Sequence, residues 1–165
     1  MKPNFRISGR ADAPPLVLSH GLATDLHMWD AQVASLSQDF RILRYDRRGH
    51  GRSGAPVPPY GLADLGGDVI ALWDALSIRR SHFCGLSIGG LTGQWLGIHA
   101  GARLGRMVLC ATAARIGTAE SWHARIDEVR ANGLGGLVPA TAERWFTPGF
   151  RATHPATVKA ILDGL

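Results

Sequence analysis

The sequence predicts an α/β fold in which a mostly parallel sheet carries helices on both faces. Apolar runs typical of buried strands alternate with stretches of helical periodicity, and 45% of the 165 residues are hydrophobic, which is enough for a compact core. The strand candidates are PPLVLSHG, FRILRYD, SHFCGLS and GRMVLCAT. The helix candidates between them are HMWDAQVASLSQ, YGLADLGGDVIALWDALS and IGGLTGQWLGIHA. In the second of these helices, apolar residues between Leu62 and Leu76 form one stripe, and Gly66 and Gly67 are expected to weaken the helix locally.

The pattern changes at about Gly117, where strand-like runs give way to amphipathic helical pieces broken by glycine and proline. These pieces are SWHARIDEVRANGL, TAERWFTP and HPATVKAILDGL. We therefore predict a partial α/β core over residues 1–116 and a partial helical cap over residues 117–165.

Charge and composition exclude several classes of function. The chain has 18 basic and 13 acidic residues, but the arginines are scattered and form no basic stripe, so a nucleic-acid partner is not expected. No signal peptide and no apolar run long enough for a membrane helix is visible. Cys84 and Cys110 lie in strand-like runs typical of buried thiols, which indicates a reducing, cytoplasmic location. We expect no metal and no organic cofactor.

The stretch from Gly85 to Gly89 has the G-x-S-x-G spacing of a nucleophile elbow. Such a turn between a strand and a helix holds its serine, here Ser87, in a strained backbone with the hydroxyl exposed, and it tolerates only small residues two positions away. The free N–H of Ile88 at the helix start is then the natural donor to an oxyanion. The spacing alone also arises by chance in ordinary strand-turn-helix units.

Two further segments follow earlier strands. In LVLSHGLATDLHMW, the N–H of Leu22 is a candidate second oxyanion donor, although the segment also fits an ordinary β-to-α turn. In YDRRGHGRS, glycines permit sharp turns that Asp46, Arg47 and Arg48 could brace, which we interpret as a structural role.

With these segments the chain resembles the α/β-hydrolase-fold family, and more narrowly its 3-oxoadipate enol-lactonases. The resemblance extends over nearly the whole chain, and its more specific segments are LHMWD, RYDRRGHG, GQWLGIHA and ERWFTP. It implies that Ser87 is the nucleophile, that Leu22 and Ile88 form the oxyanion hole, and that the enol-lactone of 3-oxoadipate is hydrolysed in aromatic catabolism without a cofactor.

The resemblance also implies a small lactone or ester substrate that carries a carboxylate. Substrate-binding residues are then expected in the cap segment, where two aromatic and two cationic candidates occur. They are Trp122, Trp145, Arg125 and Arg144.

The acid and the histidine of the triad have no candidates at the expected positions. In this family both follow the serine, on loops after later strands, whereas the acidic residues and histidines after Ser87 lie on helical pieces. We therefore expect a truncated member, produced by a premature stop, a frameshift or a partial gene model, with low activity as an isolated chain. The N-terminal NFRISG has room for only one strand of the family's first hairpin.

Alternatives remain at this point. The chain could be another carboxylesterase or acyltransferase of the same fold, or a non-catalytic remnant that needs a second polypeptide. Its last strand is expected to form an exposed sheet edge, through which self-association or complementation by a second polypeptide could occur.

Overall fold

The computed structural model describes residues 3–164 of the chain, which divide into two compact units. The first unit extends to Arg115 and the second begins at Ile116.

The first unit is built on a five-stranded sheet. Its strands are β1 (Phe5–Ser8), β2 (Pro15–Ser19), β3 (Arg41–Tyr45), β4 (Ser81–Leu86) and β5 (Leu104–Cys110), in the order β1-β3-β2-β4-β5. β1 runs antiparallel to β3, and all other neighbours are parallel. The predicted α/β fold with a mostly parallel sheet is confirmed. Because β2 and β4 are neighbours and Ser19 pairs with Gly85, the loops that follow these two strands begin side by side.

Three helices connect the strands of the first unit. They are α1 (Asp30–Leu36), α2 (Leu62–Ala75) and α3 (Ile88–His99), with short 3-10 turns at Leu26–Trp29 and Gly101–Arg103. The predicted apolar stripe of α2 is confirmed by its buried residues, which include Val69 and Trp73. Gly66 does not merely weaken this helix, because a Cβ at that position would lie 2.0 Å from the ring of Trp95.

Alternate residues of β2 serve two hydrophobic clusters, one on each face of the sheet. Val17 joins the cluster that α2 and α3 cover, whereas Leu16 and Leu18 join the cluster that contains Trp29. The sheet is therefore covered on both faces, as predicted. At its end, β5 pairs only with β4 among the described strands, and Met107, Val108 and Leu109 are 38%, 55% and 39% exposed. The expected apolar edge is present in the described part of the chain.

The second unit consists, within residues 116–164, of short helices joined by turns. Its α-helices are α4 (Ala119–Asn132), α5 (Val138–Trp145), α6 (Pro148–Thr153) and α7 (Pro155–Leu162), with a 3-10 turn at Leu134–Leu137. The side chain of Thr118 accepts a hydrogen bond from the N–H of Ser121 and caps α4. Gly133, with φ of +68°, ends the same helix.

None of the helices within residues 3–164 combines the length and the apolar character that a membrane span requires.

Candidate active site

Ser87 lies in the turn between β4 and α3 and has a strained backbone. Its φ of 55° and ψ of −117° fall in a region that residues with a side chain rarely adopt. Two hydrogen bonds hold this conformation: the N–H of Ser87 donates to the Cys110 carbonyl at 2.9 Å, and the N–H of Leu91 donates to the Ser87 carbonyl at 3.1 Å. The half-buried serine is thus tied through its backbone to β5 and to α3.

Close backbone contacts around this turn leave room only for glycine. A Cβ at Gly85 would lie 2.3 Å from the Gly89 carbonyl oxygen, and a Cβ at Gly89 would lie 2.2 Å from the Ser19 carbonyl oxygen. At Gly90, a Cβ would lie 2.6 Å from the methyl carbon of Thr112. The predicted need for small residues on either side of Ser87 is confirmed.

At the carboxyl ends of the parallel strands, the backbone N–H groups of two residues have no hydrogen-bond acceptor within residues 3–164. One belongs to Ile88, the first residue of α3, and the other belongs to Leu22, in the loop after β2. Orphan N–H groups and the helix dipole at the start of α3 both favour negative charge there. Such donors, set beside a serine hydroxyl, can stabilise the oxyanion formed when the hydroxyl adds to a carbonyl group.

Of the four residues with a side chain and a positive φ within residues 3–164, three lie after the carboxyl ends of neighbouring strands, and the fourth, Ser77, follows α2. Ala23, Ser87 and Ala111 follow β2, β4 and β5 and have φ of 58°, 55° and 45°. Strained residues of this kind cluster at ligand-binding and catalytic sites, and open α/β sheets bind ligands outside the carboxyl ends of their strands. The candidate site therefore lies at this edge.

The segment after β3 forms hydrogen bonds that brace the loops at the carboxyl ends of the strands. The carboxylate of Asp46 accepts hydrogen bonds from the N–H of Leu26 at 2.8 Å, from the N–H of Arg52 at 2.9 Å and from the amide of Asn4 at 2.7 Å. Burial raises the pKa of Asp46, but these donors outweigh burial and the pKa is lowered. Arg48 binds Asp68 through two contacts of 2.7 Å. The predicted bracing role of Asp46 and Arg48 is confirmed.

Arg47 and His20 make contacts that the sequence does not reveal. The guanidinium of Arg47 is buried and donates from Nη2 to the Gly21 carbonyl at 2.7 Å, while burial lowers its pKa to about 10. The ring of His20 is also buried: its Nε2 accepts the N–H of Arg47 at 3.1 Å, and its Nδ1 lies 2.8 Å from the Gly21 carbonyl oxygen. Burial is the main reason that the pKa of His20 falls to about 3, so the ring is neutral.

His50 adds a third contact to the loop after β2, because its Nε2 accepts the N–H of Ala23 at 3.2 Å. The side chain of His20 thus helps to hold the same loop. The only signal in the sequence was that RYDRRGHG follows a strand that could neighbour β2.

No described side chain forms a hydrogen bond with Oγ of Ser87 within residues 3–164, and several of the histidine rings there have other partners. His27 contacts Asp30, His82 accepts the N–H of Arg106, and His99 stacks on Trp95. The described residues therefore place a serine at the start of α3, next to the N–H of Ile88 and without a base on the serine, whereas the role of the Leu22 N–H stays a prediction.

The four candidates for substrate binding belong to the second unit. Trp122 lies on α4, is 36% exposed and donates from its indole to the Ile116 carbonyl at 2.7 Å. The guanidinium of Arg125 lies 5.7 Å from the centre of that ring. Trp145 and Arg144 end α5, and both are exposed. Their role in substrate binding stays a prediction.

Comparison with known proteins gives the family. The family model described as alpha/beta hydrolase fold matches residues 14–157. The chain belongs to this family, which agrees with its mostly parallel α/β sheet and with the serine in the turn after β4.

Within the family, the chain is similar to enol-lactonases. It is 46% identical to 3-oxoadipate enol-lactonase 2 of Acinetobacter baylyi over 98% of this chain and 61% of that protein. The crystal structure of the enol-lactonase from Burkholderia xenovorans LB400 is 48% identical, with a TM-score of 0.94 over 98% of this chain and 63% of that one. A thermophilic esterase from Thermogutta terrifontis, solved with malate bound, is 27% identical, with a TM-score of 0.89 over 98% of this chain and 60% of that one.

The chain thus spans about three fifths of the length of these relatives.

Proposed function

We propose that this chain carries the nucleophile and the oxyanion hole of a serine hydrolase that opens the enol-lactone of 3-oxoadipate. The observation that carries the proposal is the strained Ser87 between β4 and α3, next to the unbonded N–H of Ile88. The identity of 46–48% to enol-lactonases supports the choice of substrate. Hydrolysis of such a lactone belongs to aromatic catabolism by the β-ketoadipate pathway.

The proposed reaction has two halves. In the first, Oγ of Ser87 adds to the lactone carbonyl carbon, and the N–H groups of Leu22 and Ile88 donate to the oxyanion. When the carbonyl re-forms, the ring C–O bond breaks and the enol oxygen leaves, still attached to the acyl group on Ser87. In the second half, water adds to this ester, the product leaves with a new carboxylate, and the hydroxyl of Ser87 is restored.

The serine proton requires a base, which the family takes from a histidine that follows the nucleophile in the chain. No histidine within residues 3–164 forms a hydrogen bond with Ser87, so the described residues give no candidate for this base. Without a base, an oxyanion hole and substrate binding still accelerate acyl transfer by about a thousandfold to ten-thousandfold over water. We expect the isolated chain to lie in this range.

Substrate recognition is proposed to involve the second unit as a partial helical cap. The substrate carries a carboxylate, and Arg125 and Arg144 are the cationic candidates, with Trp122 and Trp145 as aromatic ones. The net charge of +5 favours an anionic substrate.

A chimera tests the proposal. The chain is extended with the remaining roughly two fifths of the Burkholderia enol-lactonase, the part of that protein that it does not match, and lactone hydrolysis is followed in the ultraviolet. We expect turnover of about 1–1000 per second in the chimera. Ser87→Ala in the chimera should reduce kcat by about a millionfold.

The matched control is Ser121→Ala in the same chimera, which removes a serine of α4 and should leave kcat unchanged. If Ser87→Ala retains the turnover of the unsubstituted chimera, Ser87 is not the nucleophile and the proposal is wrong.

A second candidate function is hydrolysis of, or acyl transfer from, ordinary carboxylic esters. The 27% identity to the Thermogutta esterase, with a TM-score of 0.89, favours it. The ratio of kcat/KM for the enol-lactone to kcat/KM for p-nitrophenyl butyrate separates the two. An enol-lactonase should prefer the lactone, whereas an esterase or acyltransferase should prefer the aryl ester.

The remaining predictions concern partners and location. The apolar residues of β5 could support self-association or complementation by a second polypeptide, as a non-catalytic remnant would need. Light scattering of the purified chain tests self-association.

The free thiols of Cys84 and Cys110 support a cytoplasmic location, which cell fractionation tests.

A further inference from the structure

We propose that Arg47 is a positioning residue whose guanidinium holds the Gly21 carbonyl, so that the N–H of Leu22 stays directed at the oxyanion. The inference rests on the proposed function, because the direction of the Leu22 N–H matters only if this group donates to an oxyanion formed at Ser87.

The Gly21 carbonyl is surrounded by donors from three side chains. Nη2 of Arg47 donates at 2.7 Å, the hydroxyl of Thr24 donates at 2.9 Å, and Nδ1 of His20 lies at 2.8 Å. Because Nε2 of His20 accepts the N–H of Arg47, the proton of the neutral ring is on Nδ1, which therefore donates to Gly21. A carbonyl oxygen offers two lone pairs, so its direction is fixed from several sides.

The direction of this carbonyl fixes the direction of the Leu22 N–H. In a trans peptide, the carbonyl of one residue and the N–H of the next point in opposite directions across a rigid plane. The carbonyl is turned to the buried guanidinium, so the Leu22 N–H points away from it, and it has no acceptor within residues 3–164. The loop also lies close to the strand that leads to Ser87, since a Cβ at Gly21 would be 3.0 Å from a methyl group of Leu86.

A contribution to stability does not explain why Arg47 is buried. The residue is 1% exposed, and its Nε and Nη1 have no hydrogen-bond partner within residues 3–164. Burying a cation with incomplete hydrogen bonding is unfavourable, and apolar residues of similar volume often stabilise a protein more. Its one side-chain hydrogen bond to the described residues goes to the peptide that carries the proposed oxyanion donor.

The first experiment reads the peptide directly in the 165-residue chain. Carbonyl-13C glycine and 15N leucine label the Gly–Leu peptides, and the Gly21–Leu22 signal is the one that disappears in Leu22→Ile. In Arg47→Met, which keeps side-chain length but cannot donate, the Gly21 carbonyl resonance should move to lower ppm. Arg47→Lys should restore part of the wild-type shift, because an ammonium can still donate.

The matched control is Arg44→Met, which removes another buried arginine, one that lies on β3. Arg44 contacts the Leu26 carbonyl and Asp30 and does not contact Gly21. The Gly21 resonance should therefore keep its position in this variant. If Arg47→Met does not fold, Arg47→Lys decides the matter, because a flexible point charge in place of the planar fork should still produce a partial shift.

The second readout is the rate constant of fluorophosphonate addition to Ser87. In the transition state of this reaction, negative charge develops on the phosphoryl oxygen. A displaced donor should slow this step by about 10- to 100-fold in Arg47→Met, with an unchanged half-saturating concentration of the probe. Arg47→Lys should recover part of the rate, and Arg44→Met should keep all of it.

The outcomes separate the two hypotheses. If Ser87→Ala takes up the probe as fast as wild type, the proposed function fails, and the Gly21 resonance still reports on Arg47. If that resonance does not move in Arg47→Met, or moves equally in Arg44→Met, the positioning role is wrong. It is also wrong if the resonance moves while addition to Ser87 keeps its wild-type rate.

Discussion

The first unit buries nearly all of the hydrophobic core, whereas the second unit buries one hydrophobic side chain, Val158, within the described residues. Large apolar residues on the helices of the second unit remain about two-fifths exposed, among them Trp122, Ile126 and Trp145. In the first unit, by contrast, even polar residues such as His20, Asp46 and Arg47 are buried and hydrogen-bonded. Many tertiary contacts therefore determine the conformation of the proposed site. In the second unit, the conformation depends mostly on interactions between residues close in the sequence.

This contrast predicts that single substitutions near Ser87 have large effects and that substitutions in the second unit have small ones. The largest effect on stability is expected for Gly89→Ala, because its methyl group would lie 2.2 Å from the Ser19 carbonyl and the backbone would have to move. We expect a loss of about 3 kcal/mol or more in the free energy of unfolding, measured by urea denaturation.

The matched control for Gly89→Ala is Gly67→Ala in α2, where a Cβ would meet no atom within 4 Å. That substitution should stabilise the chain by about 0.5–1 kcal/mol, because alanine favours the helix. Equal effects of the two substitutions would contradict the idea that the turn is tightly constrained.

A second effect on stability depends on pH. The pKa of His20 is lowered by burial to about 3 from its ordinary 6.5, so between these values the unfolded chain binds a proton that the folded chain does not. The free energy of unfolding should therefore fall as the pH falls, by up to about 1.4 kcal/mol per pH unit from this residue.

In His20→Gln the slope of stability against pH should be flatter between pH 6 and 4, about the middle of the window set by those two pKa values. A smaller slope should remain, because burial also lowers the pKa of His50. Denaturation curves at four pH values give the slopes, and an unchanged slope in His20→Gln would show that the ring of His20 is not buried in solution.

In the second unit, Thr118→Ala removes the hydrogen bond that caps α4. Loss of a cap typically costs about 1 kcal/mol. Amide hydrogen exchange in the first turn of α4 should accelerate by about fivefold, which is that energy expressed as a rate. Thr157→Ala, an exposed threonine of α7, is the control and should leave α4 unchanged.

The smallest effect is expected for the ion pair between Lys159 and Asp163, whose side chains are 75% and 60% exposed. A double-mutant cycle with alanine should give a coupling of about 0.2–0.5 kcal/mol, lower at high salt. A coupling above about 1 kcal/mol would mean that local contacts in the second unit are stronger than this contrast implies.

The same contrast explains what could be predicted from the sequence. Alternating apolar runs predicted the strands, and the glycines around Ser87 predicted the turn, because both depend on neighbours close in the chain. The contacts of His20 and Arg47 with Gly21 could not be predicted, since they depend on β3 lying beside β2 and on an arginine being buried, which is rare. Exposed residues such as Trp122 and Arg144 carry little packing information, so their roles remain predictions.

The most direct test of the central claim is to map fluorophosphonate adducts on the 165-residue chain by mass spectrometry over time. Even without a base, the N–H groups of Leu22 and Ile88 should make Ser87 react about a hundredfold faster than any other serine in the chain. The predicted result is an adduct confined to Ser87 at early times and absent from Ser87→Ala. Adducts spread over the exposed serines, with Ser87 no faster than the rest, would contradict the proposal that this turn forms a catalytic site.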